Sequence, residues 1–504
     1  MRHTTIGQLL ILLILLVTAN DLMAQDSIAW SIDVPDVVIT GEYAPTHPSK
    51  AVHQIEVLDG EVLTKKGFTN LSEVLEYQLN FQVSSDPILG NGLSIQGISG
   101  QNVQILIDGV PVIGRLGGNV DLSQILTSQI ERVEIVEGAM SAQYGSNASA
   151  GVVNIITKKS QIGAIGMDFS TQYESIGIQN HQFSLGFQDE VLYVQGNFQY
   201  QDYQFAPIDS MRLTEVVFDE DSTAMIVKKE PWNPKTQLTY GGLSRVQVNR
   251  NLVATYRLQH FEEELNIYGV VRRPFFLPYA FDEQYNTVRT DHNVSFEWDP
   301  QRPFHLTSTT AHNFYKRDDF TTRLDFDNDS TSLVAGLQDT TQFNTWLHRS
   351  IFSTNFKGRW NGQFGIEVMH ESGSGDRLLD TLSSDPTVAD MFNFAGWASA
   401  TFQVYDRLKL KGNLRFGYNS DFAHPLIPSL HVHWAPNDRW NIRSSYSMGF
   451  RSPTLKELYF NFIDVNHFII GNPAVKPETS HNLHGAVEFN KRFGNGLQLT
   501  SDAR

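Results

Sequence analysis

Residues Glu131 to Lys159 read ERVEIVEGAMSAQYGSNASAGVVNIITKK, and their reading decides the fold. Val133, Ile135 and the run Val152 to Ile156 are β-branched and bounded by Gly138 and Gly151, which predicts two strands around a turn. The turn is made of small residues: Ala139, Ser141, Ala142, Gly145, Ser146 and Ala148 to Ala150 carry almost no side-chain bulk. Another length of chain can therefore pack closely against it. Read alone, the same residues fit an ordinary strand pair of a soluble domain equally well.

Working outward, Ile55 to Ile156 has the alternation of a small α/β domain. Asn70 followed by Glu73 is a capping box, with Leu71, Val74, Leu75 and Leu79 on one helical face. Asp121 with Gln124 repeats the device ahead of Leu122, Ile125 and Leu126. In Val103 to Val112, VQILIDGVPV, the Asp108-Gly109 pair predicts a hairpin turn between apolar strands. The glycines of Gly90 to Gly100, GNGLSIQGISG, have the wrong spacing for a dinucleotide-binding loop, and no helix follows them.

From about Gly166 the pattern changes to period two. Leu192, Val194, Phe198 and Tyr200 alternate with Tyr193, Gln195, Asn197 and Gln199, while Leu408, Leu410, Leu414, Phe416 and Tyr418 face away from Lys409, Lys411, Asn413 and Arg415. Each such segment has one greasy wall and one wet wall. The segments reach or exceed the roughly 9–11 residues a tilted strand needs to cross a bilayer, which predicts a membrane barrel over a soluble sandwich. Short links at Asp189-Glu190, Arg250-Asn251, Trp360 to Gly362 and Asp406 alternate with long polar ones. The long ones fill about Phe205 to Pro234, Asn266 to Asn286, Thr321 to Phe343 and Glu371 to Asp390.

The order of parts in Glu131 to Lys159 resembles the end of the plug domain of TonB-dependent outer-membrane receptors, E-G-x-x-S-x-x-Y-G-x-x-A-x-x-G-x-[IV]-N-I-I-T-K. Glu137, Gly138, Ser141, Tyr144, Gly145, Ala148, Gly151 and Asn154 to Lys158 stand where that pattern asks. The L-I-D-G-V-P element at Leu106 to Pro111 is similar to the family's plug as well. So are Phe450-Arg451-Ser452-Pro453 with Leu455, Glu457, Leu458 and Tyr459, and Gly471-Asn472-Pro473 through Glu478, to its barrel. One departure is Gln96-Gly97, where many plugs carry Arg-Gly; it puts in doubt the salt bridge that arginine would make. The resemblance implies an antiparallel transmembrane β-barrel with an N-terminal α/β plug in its lumen. The expected division is a signal peptide over 1–24, a periplasmic lead over 25–50, the plug over 51–160 and the barrel over 161–504. Roughly 14 or 15 strands are legible from the periodicity, against about 22 in the family's barrel. The final strands are therefore expected to be missing from this sequence.

Met1 to Ala24 fits a secretory signal, with Arg2 at its start, Leu9 to Val17 as apolar core and Leu22-Met23-Ala24 at the cleavage site; its apolar run is short for a membrane anchor. Within the lead, Asp36, Val37, Val38, Ile39 and Thr40 form a β-prone run with no obvious partner strand. Such a run can join the edge of another protein's sheet. It resembles the TonB box, which TonB and its inner-membrane energising complex capture; the alternative is a first strand of the plug. The net charge of −17 argues against nucleic acid, and the absence of cysteine excludes thiolate metal sites and thiol nucleophiles. No catalytic or phosphate-loop motif occurs, the histidines are scattered, and neither a metal site nor a cofactor is expected.

The function that follows is active transport of a scarce, bulky nutrient, a ferric siderophore or cobalamin-like compound, by a monomeric barrel in outer-membrane lipid. Asp86 and Arg115, on plug loops, are the candidate ligand contacts. His467 lies between the two barrel motifs, where receptors resembling haem transporters carry an axial histidine. A haem receptor is thus one alternative. A barrel-anchored adhesin or assembly protein is another, and a secreted β-sandwich enzyme a third.

Overall fold

The computed structural model describes residues 38–503, apart from 43–45, 79, 87, 116–117, 162, 205–207, 219–223, 229–232, 274–276, 301–302, 355–357, 379–388, 464–467 and 493–497. The expected signal peptide, together with Asp36, Val37, Leu79 and His467, lies outside the described residues.

In chain order the plug contains β1 (Ile55–Asp59), β2 (Phe81–Asp86), β3 (Gly90–Ile95), β4 (Ile98–Ser99), β5 (Val103–Ile107), β6 (Val110–Pro111), β7 (Ile130–Glu137) and β8 (Gly151–Thr157). The two strands read from Glu131 to Lys159 are β7 and β8, antiparallel with Ile135 opposite Val153. They sit in a five-stranded sheet of order β1-β7-β8-β5-β6, in which β5 runs parallel to β8. Every residue of β8 is buried, as its near-continuous apolar run requires. Leu71, Val74 and Leu75 of the Leu71–Glu76 helix pack with Leu93, Ile105, Val153 and Ile155 in one core.

Local chemistry explains the punctuation. Asn70 accepts from the Glu73 backbone N–H at 3.2 Å, and Glu73 reaches back to the backbone N–H of Thr69 at 2.7 Å. The hairpin turn has φ +50° at Asp108 and +80° at Gly109, the left-handed pair that a two-residue hairpin needs. Burial works against the Asp108 carboxylate, but Lys159, Arg257 and two hydrogen bonds from Thr157 outweigh it and hold its pKa below the ordinary range. The second expected helix is only a 3-10 turn, Leu122–Gln124. The Gln124 side chain is committed to the wall, donating to Glu263 at 3.1 Å and accepting from Arg289 at 2.8 Å, so it cannot close a capping box.

Around the plug runs a single sixteen-stranded antiparallel sheet. Its strands pair in chain order from Ile165–Tyr173 to Gln498–Ala503, and one short strand, Ser330–Leu333, pairs off this path. Among the described residues the first and last strands do not pair with each other. No helix among the described residues is long and apolar enough to cross a membrane. Several strands outrun a bilayer: Tyr279–Trp298 has 20 residues and Phe304–Asp325 has 22. The ladder thereby takes up much of the loops expected at Asn266 to Asn286 and Thr321 to Phe343. Trp360 to Gly362, read as a link, instead begins the Trp360–Gly375 strand.

The period-two reading holds side chain by side chain. Leu414, Phe416 and Tyr418 are exposed on the outer face, while Lys411, Asn413 and Arg415 point inward. The inner wall is nevertheless dry: Lys411 and Arg415 are 1% and 3% exposed. The expectation of a water-facing inner surface is corrected by the packing inside the sheet: the Gly41 carbonyl takes the place of solvent for Lys411, and Glu367 of the wall holds Arg415.

Candidate functional site

The small-residue turn and the Phe450-Arg451-Ser452-Pro453 motif, 300 residues apart in sequence, meet directly. Ser141 Oγ accepts from the Phe450 N–H at 3.0 Å, and Ser146 Oγ from the Ser452 N–H at 2.8 Å. The Asn147 N–H donates to the Phe450 carbonyl at 3.2 Å. Arg451 donates to Gln101 of the plug, to Glu457 at 2.9 Å and to Glu478 at 2.6 Å, so one guanidinium ties plug, loop and wall together. The loop after Pro453 opens with a helix, Leu455–Tyr459, held by a full Thr454–Glu457 capping box. The Thr-x-x-Glu spacing of Thr454 and Glu457 is the sequence signal for this helix start.

Between the top of the plug and the wall lies a cavity of about 400 Å³. Phe343, Met369, Met391 and Phe450 supply apolar surface; Arg349, Glu367 and Arg415 form its charged floor. Arg349 Nε donates to Glu367 Oε2 at 2.7 Å and Arg415 Nη2 to Glu367 Oε1 at 2.6 Å. Arg349 Nη1 also reaches the Gly109 carbonyl of the plug at 2.7 Å. Two cations thus share one carboxylate, leaving one positive charge in excess. Nε and Nη1 of Arg415 are buried and find no acceptor within the protein. Buried donors without partners are costly, so this floor has donors to spare for an oxygen-rich, anionic group.

The residues picked out from sequence are placed unequally. Asp86 accepts from the backbone N–H groups of Ile88 and Leu89 at 2.8 and 2.7 Å; it staples its own turn and does not line the cavity. Arg115 does line it, but its guanidinium donates to the carbonyls of Gly100 and Gly118 at 3.1 Å and of Val103 at 2.9 Å. Gln96 occupies the Arg-Gly position and donates to the Glu137 carboxylate at 2.9 Å, an uncharged donor where an arginine would make an ion pair.

The described part of the Asp36-to-Thr40 run is not loose. Val38 is fully buried and bridges to Thr46, which corrects the expectation of a run without a partner. The N–H groups of Ile39 and Thr40 donate to the buried Glu134 carboxylate at 3.1 and 2.8 Å, and Thr40 Oγ1 accepts from Asn154 Nδ2 at 2.9 Å. The Gly41 N–H donates to the Tyr144 hydroxyl at 3.0 Å, and the Gly41 carbonyl accepts from Lys411 of the wall. Burial pushes the Tyr144 phenol up to about 12 and keeps it protonated. The physical reason is Glu134: Arg132 Nε takes one oxygen of this buried carboxylate at 2.8 Å, and the passing backbone supplies donors to the other. Sequence reasoning missed Glu134, Arg349, Glu367 and Lys411; the only signal was polar or charged residues on faces later found to be buried.

The chain matches the family description "TonB-dependent Receptor Plug Domain" over residues 48–152 and "TonB dependent receptor-like, beta-barrel" over residues 231–503. It is 24% identical over 513 residues to an iron-regulated outer membrane virulence protein of Vibrio cholerae, covering 95% of this chain and 69% of that one. A vitamin B12 transporter of the same organism is 31% identical over 124 residues, 24% of this chain and 20% of that protein. Among solved structures, the siderophore receptor PirA of Acinetobacter baumannii superimposes with a TM-score of 0.67 at 14% identity, covering 89% of this chain and 74% of that one. The ferric enterobactin receptor PfeA of Pseudomonas aeruginosa gives 0.65 at 16% identity, covering 87% and 70%. Motifs, plug-in-sheet architecture and family match agree: the chain belongs to the TonB-dependent receptors of the outer membrane.

Proposed function

We propose that this receptor takes up a ferric siderophore, bound in the cavity above the plug with an anionic oxygen edge on Arg415. The observation that carries the reading is the pair of buried, unpartnered N–H groups on Arg415, beside a carboxylate already shared by two arginines. Aromatic and thioether side chains on the cavity walls suit the bulky organic part of such a chelate. The iron-regulated relative and the siderophore-binding structural neighbours support this choice, and the short match to a vitamin B12 transporter keeps a corrinoid as the second ligand class. Haem is less well served: the Nδ1 of His424 meets the Pro425 carbonyl at 2.8 Å, which orients Nε2 as one axial ligand, but no second histidine lines the cavity among the described residues. Energy enters through TonB and its inner-membrane complex, which capture Asp36 to Thr40. The receptor acts as a single barrel and transports its ligand chemically unchanged.

The test is growth of a strain lacking this receptor on a panel of single ferric chelates, haem and corrinoids. Loss of growth on one ferric chelate, restored by the receptor but not by a form lacking residues 36–40, is expected. Arg415→Ala should weaken binding of that chelate about tenfold or more, the range for lost charged hydrogen bonds. Unchanged growth across the ferric chelates would overturn the reading, and growth unaffected by deletion of 36–40 would favour an adhesin or assembly role.

A further inference from the structure

Three carboxylates line the cavity among the described residues, and two of them are already engaged. Glu367 is shared by Arg349 and Arg415, while Glu457 accepts from Arg451 at 2.9 Å and from the Thr454 N–H at 2.8 Å. Glu371 has neither a hydrogen bond nor an ion pair with any described residue. Lys456 lines the same cavity, but its ammonium stands over the rings of Phe343 and Phe460, 5.7 and 5.9 Å from their centroids. Two more cavity groups are buried without partners. Thr345, directly across the ladder from Glu371, is 4% exposed with its Oγ1 unpaired, and Gln104 of the plug is 4% exposed with its Oε1 unpaired. The unpaired groups are thus of two kinds: donors on Arg415, and oxygens able to accept on Glu371, Thr345 and Gln104. Glu367, Met369 and Glu371 follow one another along the inner face of one strand, so about 13 Å of strand separates Glu371 from the floor at about 3.3 Å per residue. A single small anion cannot serve both.

We propose that Glu371, with Thr345 beside it, determines specificity by selecting a ferric chelate that carries a protonated amine remote from its anionic oxygen edge, resting on the reading of this cavity as the ligand site. An unpaired carboxylate on a largely apolar wall is costly. An ammonium group removes that cost by its charge and by its N–H donors together. Cross-strand neighbours stand about 4.5–5.5 Å apart at Cβ, so one ammonium can serve Glu371 and the Thr345 hydroxyl at once. Gln104 Oε1 is left for a donor on the body of the chelate. A chelate that is negative over its whole surface would satisfy Arg415 at one end and be repelled by Glu371 at the other. The cavity therefore discriminates by the charge of the remote arm, not by the iron centre.

Ferrioxamine B, a ferric hydroxamate with a terminal ammonium, and its N-acetyl derivative differ at that arm alone. Each is titrated into the intact, detergent-solubilised receptor, and binding is followed by quenching of tryptophan fluorescence. The ammonium chelate is expected to bind about tenfold more tightly than the acetylated one, the range for a charged hydrogen bond. Glu371→Gln, which keeps the size and removes the charge, should bring the two affinities together. Arg415→Ala should weaken both chelates by the same factor and leave their ratio unchanged. The wild-type comparison needs no variant, so it decides the matter even if Glu371→Gln fails to fold. Equal binding of the two chelates by the wild type, or a preference that survives Glu371→Gln, would overturn the proposal. The two ideas fail separately. Binding that depends on Arg415 but shows no preference sinks this one alone, and a preference kept while Arg415→Ala changes nothing sinks the seating of an anion on Arg415 alone. Binding of neither chelate also overturns the proposal; growth on another ferric chelate then spares the ligand reading, and growth on none removes both.

Discussion

Gly145 shows how much rests on a missing side chain. Its φ of +78° lies in the left-handed region, and a Cβ there would stand 2.9 Å from Arg415 Nη2. Both backbone conformation and space therefore select glycine. Gly145→Ala is expected to destabilise the receptor by about 1 kcal/mol or more, since the native conformation is incompatible with the new residue. It should also push Arg415 from Glu367 and weaken ligand binding together with stability. Thermal unfolding and chelate titration of the same preparation check both. A control at Gly67, where φ is also positive but nothing lies within 4 Å of a new Cβ, should show the backbone cost without the loss of binding. The glycine itself was legible in the family-like pattern. Its neighbour was not, because no local rule places residue 415 beside residue 145.

Among elements, the short segment after the TonB-capture run is the least self-sufficient. The 3-10 turn Pro48–Lys50 cannot satisfy its own last carbonyls. The wall does so: Lys409 donates to the Lys50 carbonyl at 2.9 Å, and Arg443 to those of Pro48, Ser49 and Ala51 at 3.2 to 3.4 Å. His53 follows, buried with its ring centroid 4.3 Å from that of His431. Burial, then His431, Lys411 and Arg443, lower its pKa well below 6.5; His484 and Glu137 complete the small polar pocket. The folded protein therefore binds a proton at His53 less readily than the unfolded chain. Stability from this site is present above 6.5 and is lost as the pH falls toward the depressed folded value. Protection of the backbone amides of residues 47–54, taken relative to the exchange rate of an unstructured chain at the same pH, should fall on acidification below neutrality, and His53→Asn should flatten that dependence. His53 follows the lead directly in sequence, but its packing on His431 of the wall depended on the sheet curling round it.

For the whole molecule, the inner wall works as a solvent made of protein. Lys409, Lys411, Arg349 and Arg443 all donate to backbone carbonyls of the plug or its lead. These charged donors hold the plug and its lead to the wall through directional hydrogen bonds. Lys411→Met combined with Arg443→Gln is expected to free residues 41–51 for proteolysis while the sheet stays intact. Lost hydrogen bonds from charged donors are worth about 1.5–3 kcal/mol each. Limited digestion followed by mapping of the cut sites checks this, and cuts spread through the strands instead would show general unfolding.

The sequence by itself determined the two-layer plan. Period-two segments longer than a soluble strand, a compact α/β domain before them and the turn chemistry at Asp108-Gly109 are local patterns, and local patterns fix strand, turn and outward face. It also determined the close approach at the small-residue turn, because absent side chains leave room whatever the partner. Only the tertiary structure decided that inward side chains are buried against the plug, that Asp86 caps its own turn while Arg115 lines the cavity with its guanidinium on the Gly100, Val103 and Gly118 carbonyls, and that Arg349, Glu367 and Arg415 share one floor. Those facts depend on contacts between residues hundreds of positions apart, and the polarity of an inward side chain reads the same in sequence whether water or a plug backbone answers it.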